Sequence, residues 1–197
     1  MKVEPLTLNG RFVRLLPLET GHLEALMLVG LDPELWRWTV ADVRTRDDLR
    51  RYVDVALDEM TRGVSLPFVT VDEATDTIVG STRFGNIDQS NRKVEIGWTW
   101  INPKWQRTHV NTEAKLLMLT YAFEEWKCVR VELKTDSLNQ KSREAISRIG
   151  ATEEGTLRRH MITESGRYRD SVYFSVINDE WPRVKAALKE KLDYHHK

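Results

Sequence analysis

Apolar positions along this chain switch repeatedly between a period of two and a period near three and a half, which marks alternating strands and helices. Residues 11–16 alternate as a first strand, introduced by Asn9-Gly10 and closed by Pro17. Residues 19–29 read as a helix with Leu23, Leu26 and Met27 on one face. Asp32-Pro33 marks another helical start, and 47–62 a longer helix carrying Leu49, Tyr52, Val53, Ala56, Leu57 and Met60 before Gly63 stops it. Residues 66–71 and 77–84 form a hairpin around the polar turn 72–76. Residues 93–101 are a β-branched and aromatic strand that Asn102-Pro103 ends. After the polar stretch 104–111, apolar spacing predicts a helix over 112–126, capped by Asn111. A strand at 129–136, a helix from Asn139 to Gly150, strands at 153–162 and 168–177, and a terminal helix from about 179 complete the pattern. The whole predicts one mixed α/β domain, residues 1–197.

Composition narrows the field. The 197 residues suit one domain with a real core, and 30 basic against 30 acidic residues give no net charge. Nucleic acid is therefore not the expected partner. No run approaches the ~20 apolar residues that span a bilayer. The start of the chain has no signal-peptide pattern, so a soluble, cytoplasmic protein with no membrane partner is expected. The lone cysteine, Cys128, excludes an internal disulfide and reads as a small buried hydrophobe. Adjacent His195 and His196 near the end are a weak metal signal, and no metal site is expected.

Candidate chemistry concentrates between residues 92 and 150. A polar loop feeding a helix beside a strand end is an anion site in waiting. Neither G-x-G-x-x-G nor G-x-x-x-x-G-K-[ST] occurs, which disfavours other nucleotide-binding folds. In the loop stand Gln106, Arg107, Thr108, His109, Val110 and Asn111, followed by Thr112-Glu113-Ala114; the next turn carries Asn139-Gln-Lys-Ser142. Further on come Glu154-Gly155-Thr-Leu-Arg158, Arg169-Asp170 and Tyr173-Phe-Ser175. These landmarks, in this order, resemble the GNAT superfamily of N-acetyltransferases, closest to its ribosomal-protein (Rim-type) branch. The likeness runs from about residue 9 to 182.

That resemblance implies a mixed, mostly antiparallel sheet of about seven strands flanked by helices, with splayed central strands that admit acetyl-CoA. It implies that the backbone of Thr99, Trp100 and Ile101 pairs with the pantetheine arm. Amides from Arg107 through Thr108, His109, Val110 and Asn111 to Thr112 would hold the pyrophosphate. His109 and Asn111 stand where the commoner loop has glycines, although a variant loop, Thr-x-Val-Asn-Thr-Glu, fits residues 108–113. Asn139 would touch the cofactor arm, and Ser142 would protonate the leaving thiolate; helix capping alone also accounts for the pair.

The proton acceptor is open among Glu95, Asp170, His160 and no dedicated base at all, with Glu95 placed by strand alternation on one face with Gly97 and Thr99. Trp36, Trp38, Tyr52 and Asp170 are the acceptor-side candidates; plain core roles compete for the aromatics. The expected reaction is acetyl transfer to a primary amine, on a protein N-terminus or a small molecule, by a monomer or homodimer. The alternative is a GNAT-fold module that binds acyl-CoA or regulates a partner without turnover.

Overall fold

A computed structural model describes residues 1–194; His195 and His196 lie outside the described residues. Strands β1 (Leu8–Asn9) and β2 (Val13–Pro17) precede helices α1 (Leu23–Gly30) and α2 (Arg46–Thr61). Strands β3 (Leu66–Asp72), β4 (Thr77–Asp88) and β5 (Lys93–Ile101) follow, then helix α3 (His109–Thr120) and strand β6 (Arg130–Asp136). Helix α4 (Gln140–Arg148), strands β7 (Thr152–Ile162) and β8 (Tyr168–Ile177), and helix α5 (Trp181–Tyr194) complete the order. Among the described residues, eight strands join one sheet in the order β1-β2-β3-β4-β5-β6-β8-β7, and only the β5–β6 pair is parallel. The strand beyond the expected seven is the two-residue β1, too short to leave a period in the sequence.

Local chemistry explains the boundaries. Thr45 and Asp48 cap each other's backbone at the start of α2, a reciprocal capping box, and Gly63 takes the left-handed turn after its end. Asp32 caps a single 3₁₀ turn, Pro33–Leu35, where a helical start was expected. After α3 the chain widens into a π turn, Tyr121–Glu125, that seats Ala122, Phe123 and Trp126 in the core.

Two apolar clusters lie on opposite faces of the sheet. One joins α3, α4 and α5 to Phe68, Phe84, Ile96, Val131 and Phe174; Cys128 is buried in it, and burial pushes its thiol up to about 11. The other packs α1 and α2 over Val69, Val71 and Trp100. Helices α1 and α2 cover only the β2–β5 side of their face, so the polar side chains of β5, β6, β8 and β7 remain uncovered beside them. This uncovered half-face meets the gap described next.

Candidate active site

Strands β5 and β6 are joined at three pairs only: Lys93 with Arg130, Val94 with Val131 and Glu95 with Glu132. Beyond Glu95, β5 continues to Ile101 and β6 to Asp136 with no further pairing between them. The other edge of β5 stays bonded to β4 through Trp100 with Ser81 and Ile101 with Gly80. One edge of β5 is therefore open along its second half.

A bulge lies at the mouth of this gap. Pairing between β4 and β5 slips between Arg83 and Ser81, and Trp98 there has φ of 49°. Such a left-handed residue without glycine costs of order 1–3 kcal/mol and needs support from its surroundings. The extra residue also resets the faces. Glu95 and Trp98 point to the uncovered face, Thr99 and Ile101 to α3, and Trp100 back among α1 and α2. Simple alternation had put Thr99 with Glu95; the bulge separates them.

Helix α3 begins at His109, three residues earlier than apolar spacing indicated, because its cap is Thr108 and not Asn111. The Thr108 hydroxyl accepts from the Val110 amide at 3.3 Å and donates to the Trp105 carbonyl at 2.7 Å. Arg107 turns the chain into this cap with φ of 62°. Asn111 sits inside the first turn, and its Oδ1 is buried without a partner among the described residues. The His109 ring packs on Phe12 at 4.4 Å, so the side chain at a commonly glycine position has a place in the fold. The first-turn amides of α3 lack helical acceptors, and just ahead of them Gln106 donates its side-chain amide to the Ile101 carbonyl at the end of β5 at 2.8 Å. Together they suit an extended amide-bearing arm ending in a diphosphate.

The motif residue whose role sequence reasoning missed is Glu113. Its carboxylate, on α3, accepts the amides of Arg11, Phe12 and Val13 at 2.9, 2.6 and 2.7 Å. This locks the helix to the β1–β2 turn roughly a hundred residues away. A Cβ on Gly10 would lie 2.6 Å from that carboxylate, so Gly10 was the available signal.

On the far side of the gap, Asn139 Oδ1 accepts the Ser142 amide at 3.1 Å and caps α4. The half-buried Ser142 hydroxyl makes no hydrogen bond among the described residues. Lys141 reaches Gln106 at 3.4 Å, tying this turn to the loop before α3. Ile146, one turn on, is core.

On the uncovered face, Glu95 is only 3% exposed. Its Oε2 accepts from Asn86 Nδ2 at 2.7 Å and Lys134 Nζ at 2.8 Å. Its Oε1 leans over Gly97, where a Cβ would come within 3.0 Å. Arg83 lies between the rings of Tyr52 and Trp98 at 5.0 and 5.1 Å and pairs with Glu59 at 2.9 Å. Lys134 lies between Trp98 and Tyr173 at 5.9 and 5.8 Å. His160 meets Tyr173 Oη at 3.3 Å and Ser171 Oγ at 3.0 Å, since bulges in β7 turn it onto this face. Burial first, then Lys134 and Arg169, lower its pKa.

The remaining expected residues spread out. Trp36 is core, its indole donating to the Gly30 carbonyl at 2.7 Å. Tyr52 is at the gap, where its hydroxyl donates to the Trp98 carbonyl at 3.3 Å. Trp38 lies between Arg37 and Arg167, at 5.0 and 5.4 Å, beside a cavity of about 300 Å³ lined by both. Asp170 accepts the Arg159 amide at 2.6 Å and so holds a β7 bulge.

Comparison with known proteins agrees with this geometry. Residues 13–152 match the model of the acetyltransferase (GNAT) domain. YdaF of Bacillus subtilis, whose name assigns it provisionally as a ribosomal N-acetyltransferase, is 38% identical over 109 residues, covering 55% of this chain and 58% of that protein. The crystal structure of a GCN5-related N-acetyltransferase from Brucella melitensis is 31% identical with a TM-score of 0.87, covering 95% of this chain and 85% of that one. Mycobacterium smegmatis RimJ, solved in complex with CoA-disulfide, shares the fold at 23% identity and a TM-score of 0.78, over 91% of this chain and 88% of its own. No described helix is long and apolar enough to cross a membrane. The open β5 edge, the capped α3 terminus and the family match lead to one conclusion: the chain belongs to the GNAT acetyltransferase family, acetyl-CoA-dependent N-acetyltransferases that pass an acetyl group to an amine.

Proposed function

We propose that this enzyme acetylates the N-terminal amine of a protein and that the gap after Glu95 is where donor and acceptor meet. The carrying observation is the unpaired second half of β5, with capped helix starts at Thr108 and Asn139 in the turns that follow β5 and β6. In this reading the backbone of Thr99, Trp100 and Ile101 pairs with the pantetheine arm. First-turn amides of α3, from His109 through Val110 and Asn111 to Thr112, hold the diphosphate with Arg107 and Thr108 at the turn. Asn139 borders the arm.

The acceptor approaches over the uncovered face. Glu95 Oε1 takes a proton from the ammonium, directly or through water, leaving a neutral amine to attack the acyl carbonyl. The carbon–sulfur bond breaks as Ser142 gives its hydroxyl proton to the departing sulfur, and the serine regains one, through water, from the nitrogen that becomes the amide. Tyr52 and Trp98 flank the entering chain. The cavity beside Trp38 receives residues farther from the terminus, Trp36 supports it from the core, and Asp170 keeps the β7 wall in shape. The open face supports a polypeptide acceptor better than an enclosed small molecule, and the YdaF name points the same way. A cytoplasmic setting, consistent with the free Cys128, belongs to this reading.

Release of free thiol from acetyl-CoA, followed over peptides bearing ribosomal-protein N-termini, free amino acids and small amines, tests it. Peptide-dependent release with acetyl on the terminal nitrogen is expected. Release with small amines only overturns the polypeptide acceptor. Binding without release on any amine favours the non-catalytic module.

A further inference from the structure

Lys115 is 4% exposed, and it has no carboxylate partner among the described residues. Its amine donates to Thr99 Oγ1 at 2.7 Å and Thr82 Oγ1 at 3.1 Å. The two hydroxyls are 2.8 Å apart, and both reach the Gly97 carbonyl, at 3.3 Å from Thr99 and 3.5 Å from Thr82. Hydrogen counting allows the chain to run in either order through the two threonines, and both orders end on the Gly97 carbonyl. The amine donates twice, one threonine hydroxyl donates to the other, and the last donates to the carbonyl. Buried lysines normally carry an acid or are replaced by an apolar residue. Leucine or methionine would fill this space beside Met118 without that cost. Burial also pushes the amine down to about 7, as expected where no acid offsets it.

The end of this chain is informative. Gly97 is the second residue of β5 past Glu95, the last one paired with β6, and its peptide leads into the left-handed Trp98. A peptide group is planar, so fixing the Gly97 carbonyl fixes the Gly97–Trp98 plane at the mouth of the gap. Hydrogen bonds in series also polarise one another in a low-dielectric site.

We propose that Lys115 is a positioning residue for acetyl transfer, acting from behind the sheet through Thr82 and Thr99 to hold the β5 bulge in the form that aligns the acyl carbonyl. This rests on the donor site proposed above. Lys115 touches neither reactant; its effect passes through the two threonines to the bulge.

The test compares Lys115→Met, Thr99→Val, Thr99→Ser and the Lys115→Met/Thr99→Val double variant in single-turnover acetylation and in acetyl-CoA titration. The expected result is a kcat lowered on the order of tenfold or more in Lys115→Met and Thr99→Val, with the dissociation constant for acetyl-CoA within about threefold of wild type. Thr99→Ser, which keeps the hydroxyl, recovers most of the rate. The double variant is no slower than the slower single one, because both changes break one chain. Wild-type turnover in Lys115→Met overturns the proposal, as does a Thr99→Ser enzyme no faster than Thr99→Val. Should Lys115→Met not fold, the two Thr99 variants still decide. A wild-type enzyme that binds no acetyl-CoA refutes the donor site itself, an outcome distinct from either.

Discussion

Glu95, the last β5 residue paired with β6, forms an ion pair at 2.8 Å with Lys134, two residues beyond its β6 partner Glu132, at the mouth of the gap. The side chains are 3% and 13% exposed, so neither is well solvated. Glu95→Gln leaves an uncompensated lysine and should destabilise by about 3 kcal/mol, the low end for a broken buried pair, because Lys134 can turn toward water. Lys134→Met strands the deeper carboxylate and should cost more. Urea unfolding ranks the two. With Glu95 as proton acceptor, Glu95→Gln also lowers kcat by about 10²–10⁴-fold, read at a denaturant-free temperature well below the melting point.

Thr108, not Asn111, governs the helix start. Thr108→Ala should cost about 1 kcal/mol, or roughly fivefold in acetyl-CoA affinity if it is fully expressed in binding. Asn111→Ala should be neutral or stabilising, since it removes a buried oxygen that has no partner. Calorimetric titration of both variants checks the order.

Lys115 gives stability a pH slope with a definite sign. Its amine titrates near 7 when folded and at the ordinary 10.5 when unfolded. Between those values the unfolded chain holds a proton that the folded one has lost, so this group makes stability rise with pH from about 7 toward 10.5. Below 7 its cost is full and constant. Lys115→Met should flatten that rise and should be the more stable protein at pH 7, which denaturant titrations at pH 7, 8 and 9 measure.

Ser142 separates catalysis from capping. If its hydroxyl protonates the leaving sulfur, Ser142→Ala lowers single-turnover rates by about 10²–10⁴-fold with acetyl-CoA affinity nearly unchanged. Rates within a few-fold of wild type would leave it a first-turn helix residue, for which alanine is well suited.

Apart from the two-residue β1, element order was legible because the strands and helices carry their own periods and stop signals: Pro17, Gly63, Asn102-Pro103 and Gly150 all mark ends. The gap was legible only through the likeness of residues 106–114 and 139–142 to a known family. What stayed hidden depends on long-range geometry. The bulge at Trp98 arises from a slip against Arg83 and Ser81, and a single strand's pattern does not record its partner's register. Thr108 outcompeted Asn111 because Trp105 and Val110 both engage its hydroxyl. Glu113 and Lys115 sat in a helical run as ordinary polar residues; their burial is set by β1–β2 and by β4–β5, which lie elsewhere in the sequence.

The most direct measurement of the central claim is hydrogen–deuterium exchange of the protein with and without acetyl-CoA. Protection is expected at the amides of residues 97–101 and 107–112, with the β7 edge unchanged. Protection elsewhere and none along β5, or no change at millimolar acetyl-CoA, would contradict a donor site in the β5–β6 gap.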